Sequence, residues 1–148
     1  MSLRIPSTLL VLASVALSFG CAPIAYHANE EKVKELGVEK ARKDLKELVM
    51  RAKSAGGGVI SSVDVTDDAL KVKAQASSMG MWYQIETRQL ENEVYFPMLD
   101  RVDIYSNNWA YVYQSGRLAM QVLLGTPEEA KSFADLLMSF KAHKKTST

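Results

Sequence analysis

Cysteine is nearly missing from this chain. Its 148 residues include one, Cys21, so no disulfide can form within it and any fold must rest on a packed core. Histidine is almost as scarce. The two present are His27, near the start, and His143, near the end, and neither stretch reads as a buried site that would tune an imidazole. There is no Gly-x-Ser-x-Gly elbow, no phosphate-binding glycine loop, no His-Glu-x-x-His motif and no cysteine–histidine cluster. These absences leave nucleophilic, phosphoryl-transfer and zinc chemistry without their usual residues, so neither enzyme activity nor a cofactor is expected. Asp64, Asp67 and Asp68 lie close together, but the spaced oxygen ligands and closing Glu of a calcium loop are missing, so no metal is expected either. Charge of one sign is lacking too. The chain holds 18 Lys and Arg against 17 Asp and Glu, whereas nucleic-acid binders show a basic excess clustered on one face. Only Lys141 to Lys145 leans basic, so nucleic acid is not an expected partner. Long hydrophobic runs are absent after the first twenty residues, and no later segment approaches the roughly 20 apolar residues of a spanning helix.

The first twenty residues have an order of their own. Arg4 is their one charge. Ile5 to Phe19 is mostly apolar but broken by Pro6, Ser7, Thr8, Ser14 and Ser18, and Gly20 and Cys21 follow. The next charge is Glu30. A secretory hydrophobic region needs roughly 7 to 15 residues. Charged start, short apolar middle, small residue, then cysteine resembles the signal peptide of a bacterial lipoprotein. Gly20 fits the small residue that the family prefers before the cysteine. Its preferred Leu is displaced by one place, with Ser18 at −3 and Leu17 behind it, and Phe19 is bulky. The alternatives are an ordinary signal peptide or a plain membrane anchor, with Cys21 incidental. The resemblance implies a diacylglycerol on the Cys21 thiol, cleavage in front of it, and a chain held at the bacterial cell envelope by lipid. A lone cysteine in an exported protein invites oxidation, and acylation would consume it. Ala22, in place of an Asp, implies the periplasmic face of the outer membrane in a cell with two membranes.

Removing residues 1–20 leaves 128, enough for one domain. Residues 21–28 lack periodicity and read as a tether. From 29 to 55 the apolar residues Val33, Leu36, Ala41, Leu45, Leu48, Val49 and Ala52 fall at three/four spacing, which predicts one amphipathic helix. Asn29 would cap it, Gly37 would weaken it, and Gly56-Gly57-Gly58 would stop it. Then the period becomes two. Strands are predicted over Val59 to Thr66, Ala69 to Ala76, Met81 to Leu90, Val94 to Phe96, Arg101 to Ser106, Trp109 to Gln114 and Arg117 to Leu124, with loops at Ser77 to Gly80 and Asn107-Asn108. Thr126 caps a last helix, with Pro127 in its first position, Glu128 and Glu129 in its first turn, and Ala130, Phe133, Ala134, Leu137 and Phe140 as its buried stripe. Residues 144–148 read as a tail.

Two stretches carry a further resemblance: Tyr95-Phe96-Pro97-Met98-Leu99-Asp100-Arg101-Val102-Asp103-Ile104 and Leu124-Gly125-Thr126-Pro127-Glu128-Glu129-Ala130-Lys131-Ser132-Phe133. With the strand order, they make residues 57–143 similar to the pleckstrin-homology-like (PH-like) family. The implied fold is α+β, a curved seven-stranded antiparallel sheet or barrel capped by the C-terminal helix, with the first helix an addition. A cystatin-like fold is the alternative. It would account for the first helix and leave the last unplaced.

Aromatic residues crowd the sheet region: Trp82, Tyr83, Tyr95, Phe96, Tyr105, Trp109, Tyr111 and Tyr113. They are either core and rim, since aromatics are ordinary strand formers, or a binding surface. Some PH-like domains hold phosphoinositides with cations around the first hairpin. Here Lys71 and Lys73 are present, but Asp67-Asp68 makes the turn acidic, so phosphoinositide binding is not expected. Others add a peptide beside the fifth strand and the last helix. The corresponding residues are Arg101, Asp103, Tyr105 and Trp109. The expectation is therefore a lipid-anchored envelope module that binds a protein or peptide without catalysis. A carrier of a lipid or small hydrophobic ligand in the barrel interior is the alternative.

Overall fold

A computed structural model describes residues 22–79 and 85–146. Cys21 and the leader, and Trp82 and Tyr83, lie outside the described residues. Two helices come first, α1 (Lys32–Leu36) and α2 (Val38–Arg51). Seven strands follow: β1 (Lys53–Ser54), β2 (Val59–Val65), β3 (Ala69–Met79), β4 (Ile85–Tyr95), β5 (Leu99–Ile104), β6 (Trp109–Gln114) and β7 (Arg117–Leu123). The chain ends in α3 (Pro127–Thr146). The fold is α+β.

The expected continuous helix over 29–55 is instead two. Gly37 takes φ 82° and ψ 147°, outside the helical region and open to glycine at little cost. The cap also moves, from Asn29 to Glu31, whose backbone N–H donates to Asn29 Oδ1 at 3.0 Å. Val33 N–H donates to the buried Ser139 Oγ of α3 at 2.6 Å, so α1 is fastened to the last helix. The apolar stripe still faces inward: Val33, Ala41, Leu45, Leu48, Val49 and Ala52 are buried. The helix ends early because Lys53 and Ser54 pair as β1, with Lys53 opposite both Val59 and Leu123. Gly58 permits this crossing. A Cβ there would stand 2.6 Å from Ser54 Oγ and 3.1 Å from the Gln75 carbonyl oxygen.

The sheet is antiparallel throughout, in the order β4-β3-β2-β1-β7-β6-β5, and it is not closed. Short β1 joins its two halves. Besides the added β1, the strand assignment differs from expectation along β3 and β4, and β5 lies two residues earlier than predicted. From Ile85 on, the predicted third strand continues into the fourth as one strand, β4, which pairs without a break along β3 from Ala69–Tyr95 to Met79–Ile85; Met81 to Gln84 lie outside the described residues. The loop predicted from Ser77 is therefore strand as far as Met79. Alternation is clear on β3, where Leu70, Val72 and Ala74 are buried and Lys71, Lys73 and Gln75 exposed.

Thr126 Oγ1 accepts from Glu129 N–H at 3.1 Å, and Glu129 Oε2 accepts from Gly125 N–H, one residue before the cap, at 3.0 Å, so two backbone donors at the start of α3 are satisfied. Ala130, Phe133, Ala134, Leu137 and Phe140 are buried, with Leu136 and Ser139. Phe140 stacks on Phe96 at 4.9 Å between ring centroids, so α3 packs on β5 and on the 3₁₀ turn Phe96–Met98 before it. The predicted tail is largely helix, since α3 runs to Thr146 and Lys144 Nζ lies 2.8 Å from Asp68 Oδ1.

Candidate functional site

Strand β6 decides where the aromatic residues point. Ala110 and Val112 are buried against the core, while Trp109, Tyr111 and Tyr113 sit half-buried on the other face. The strand packs with its small residues and shows its large ones. Register brings the neighbouring strands into the same surface. Tyr113 lies opposite Arg101 and Tyr111 opposite Asp103 on β5, while Tyr111 faces Gln121 and Trp109 faces Leu123 on β7. Tyr105, just past β5, closes the patch, its N–H bonded to the Trp109 carbonyl at 2.9 Å.

The side chains hold one another. The Tyr105 and Tyr111 rings lie 4.7 Å apart, and Trp109 meets Tyr111 edge-on at 6.4 Å. The Arg101 guanidinium carbon stands 4.0 Å from the Tyr113 ring centroid, and its Nε donates to Asp103 at 3.2 Å. That hydrogen bond holds the guanidinium's pKa above its usual value, and burial raises the Tyr105 phenol. Mutually packed rings lose little freedom when covered, and Trp, Tyr and Arg are the residue types that dominate binding energy at protein interfaces. All four predicted partner residues, Arg101, Asp103, Tyr105 and Trp109, thus share one surface. Tyr111 and Tyr113 belong with them. Their signal in the sequence is the alternation Trp109-Ala110-Tyr111-Val112-Tyr113, in which small or aliphatic residues take the buried places.

The strand edge beside this surface is partly covered by the chain itself. Ile24 N–H donates to the Ile104 carbonyl at 2.6 Å, an isolated antiparallel bridge. Tyr26 then donates its hydroxyl to Asp135 Oδ1 on α3 at 2.7 Å, and the Asn29 N–H donates to the same oxygen at 2.7 Å. Burial and the Asp135 carboxylate push the Tyr26 phenol up to about 12. Residues 24–28, part of the predicted tether, and Asn29, the predicted helix cap, therefore lie along the groove between β5 and α3. Asp135, half-buried between buried Ala134 and Leu136, accepts both hydrogen bonds.

The acidic turn of the first hairpin is engaged within the chain itself. Asp67 pairs with Arg42 of α2, and Asp68 pairs with Lys144 of α3, so the acidic turn ties the hairpin to both helices. Lys71 lies 3.3 Å from Glu93 and Lys73 lies 3.7 Å from Glu91, so each of these cations already faces a carboxylate. Calorimetric titration of the full chain in detergent with inositol trisphosphate at low salt, where screening is weakest, should show no micromolar binding. Tight binding lost on Lys71→Ala with Lys73→Ala would contradict this.

The space under the sheet is filled by Phe96, Leu99, Val112, Val122, Phe133, Leu137 and Phe140. Two of the larger grooves among the described residues lie outside it. One, of about 310 Å³, runs between β4 and β7 past Leu90, Asn92, Leu118 and Met120. The other, of about 330 Å³, lies among the helices over Leu36, Leu48 and Leu136. Among the described residues, no three His, Cys, Asp or Glu side chains converge as a metal site requires, and no helix is long and apolar enough to cross a membrane. No family model, no curated protein and no solved structure matches this chain.

Proposed function

We propose that this chain is a lipid-anchored lipoprotein of the bacterial envelope, built on a PH-like plan, that docks a protein or peptide on the outer face of β5 and β6 without catalysis. The observation that carries the reading is the half-exposed cluster of Tyr105, Trp109, Tyr111 and Tyr113, joined to the Arg101–Asp103 pair. A half-exposed aromatic cluster of this composition, on a strand whose other side supplies the core, is the kind of patch that marks an interaction site. The PH-like plan draws support from the meander order and from the last helix lying on β5, an element that a cystatin-like plan leaves unplaced. The carrier alternative draws none from an interior packed with phenylalanine, leucine and valine. The lipid anchor rests on the leader and Cys21.

The docking reading is tested by substituting Tyr105 and Trp109 separately by Ala. Each variant should keep the wild-type circular dichroism spectrum and lose most of its partner in affinity capture from the native membranes, since a central Trp or Tyr often contributes about 2 kcal/mol or more. Folded variants that retain every partner at the wild-type level would contradict it.

A further inference from the structure

The groove between β5 and α3 is occupied by the chain itself, but lightly. One backbone bridge joins Ile24 to Ile104, and Ile24 is 44% exposed. Ala22, Pro23, Ala25 and His27 are exposed as well, and only Tyr26 and Ala28 are half-buried. The other fixed points are the two hydrogen bonds into Asp135 and the packing of Tyr26 and Ala28 against the rim of the core. Beyond Ile104, toward Arg101, no described strand pairs with the outer edge of β5. An extended segment in the same antiparallel direction would continue the ladder there and run beside Arg101, Asp103 and Tyr105.

We propose that residues 24–29 are an intramolecular stand-in for the partner. They close the edge until an extended segment of the same chemistry, an aliphatic residue followed two places on by a tyrosine, displaces them. The inference rests on the docking reading above and adds the partner's chemistry and the step that gates its entry. Ile24 marks the backbone register, because its N–H makes the bridge. Tyr26 marks the side-chain selectivity, because its hydroxyl meets a carboxylate that is half-buried and flanked by apolar residues. A site held by its own occupant shows an outside ligand an affinity reduced by the fraction of time it stands open.

The test uses the full-length chain in detergent and a labelled, acetylated heptapeptide, Ala-Pro-Ile-Ala-Tyr-His-Ala. The double variant Ile24→Pro with Tyr26→Phe removes the bridge donor and the hydroxyl from the internal segment and leaves the groove intact. By fluorescence anisotropy it should bind the peptide roughly tenfold more tightly than wild type, and adding Asp135→Ala should abolish that gain. Equal binding by wild type and a natively folded double variant would overturn the proposal. If the double variant does not fold, hydrogen exchange on the wild type decides. Excess peptide should speed exchange at Ile24, and an unchanged rate would overturn the proposal. Neither measurement uses the native partner or the lipid, so failure here is separable from failure of affinity capture.

Discussion

Phe133→Ala should lower the stability of the domain by about 3 to 5 kcal/mol, the usual cost of emptying a buried phenylalanine site. Phe133 is fully buried, one of three phenylalanines that, with Leu137 and Leu99, fill the space between α3 and the sheet. Its loss leaves a void in a core cluster that also holds the stacked pair Phe96 and Phe140 and the hydrogen-bonded strands, so collapse into it is limited. Domains of this size are stable by about 5 to 15 kcal/mol, and the variant should be near its unfolding threshold at 37 °C. Chemical denaturation measures this directly. Lys131→Ala, two residues away and exposed, should change stability by less than about 0.5 kcal/mol. A loss below about 1 kcal/mol for Phe133→Ala would mean that α3 is peripheral, contrary to the packing described.

Cys21→Ser should be nearly all-or-none. If Cys21 carries the anchor, the variant loses its acyl chains and is left either unprocessed or released from the membrane. Each buried CH₂ contributes about 0.8 kcal/mol, so removing several chains removes far more than any surface contact could replace. Mass spectrometry of the mature N-terminus checks it. Wild-type protein should begin at Cys21 with the masses of a diacylglycerol and an amide-linked acyl group. An unmodified thiol in membrane-extracted protein would refute the anchor.

Much of the fold was legible because the chain states its periods plainly. Thr126, Pro127 and Glu129 announce α3, and the alternation Leu70-Lys71-Val72-Lys73-Ala74 announces β3. Other features were not legible, because they depend on partners far away in sequence. A three/four stripe runs through Gly37 without interruption, yet α1 must turn to bring Val33 N–H to Ser139, 106 residues later. Two residues, Lys53 and Ser54, carry no strand signal of their own. They become one because β2 and β7 offer edges on both sides. Tyr95 and the residues before it read as two strands until the β3 register joins them. At the site, Arg101, Asp103, Tyr105 and Trp109 were found through strand position, and Tyr111 and Tyr113 through alternation. Nothing in residues 24–29 signals that they lie on β5, because a single backbone bridge leaves no periodicity.

The central claim, that the outer face of β5 and β6 meets a protein, is tested most directly by a photo-crosslinking residue placed at Tyr111 in the producing cell. A second variant carries it at Lys73, on the charged ladder of β3 and β4. With both variants folded and membrane-held at equal levels, position 111 should give a discrete protein adduct on illumination and position 73 none. No adduct from position 111, or the same adducts from both positions, would contradict the account.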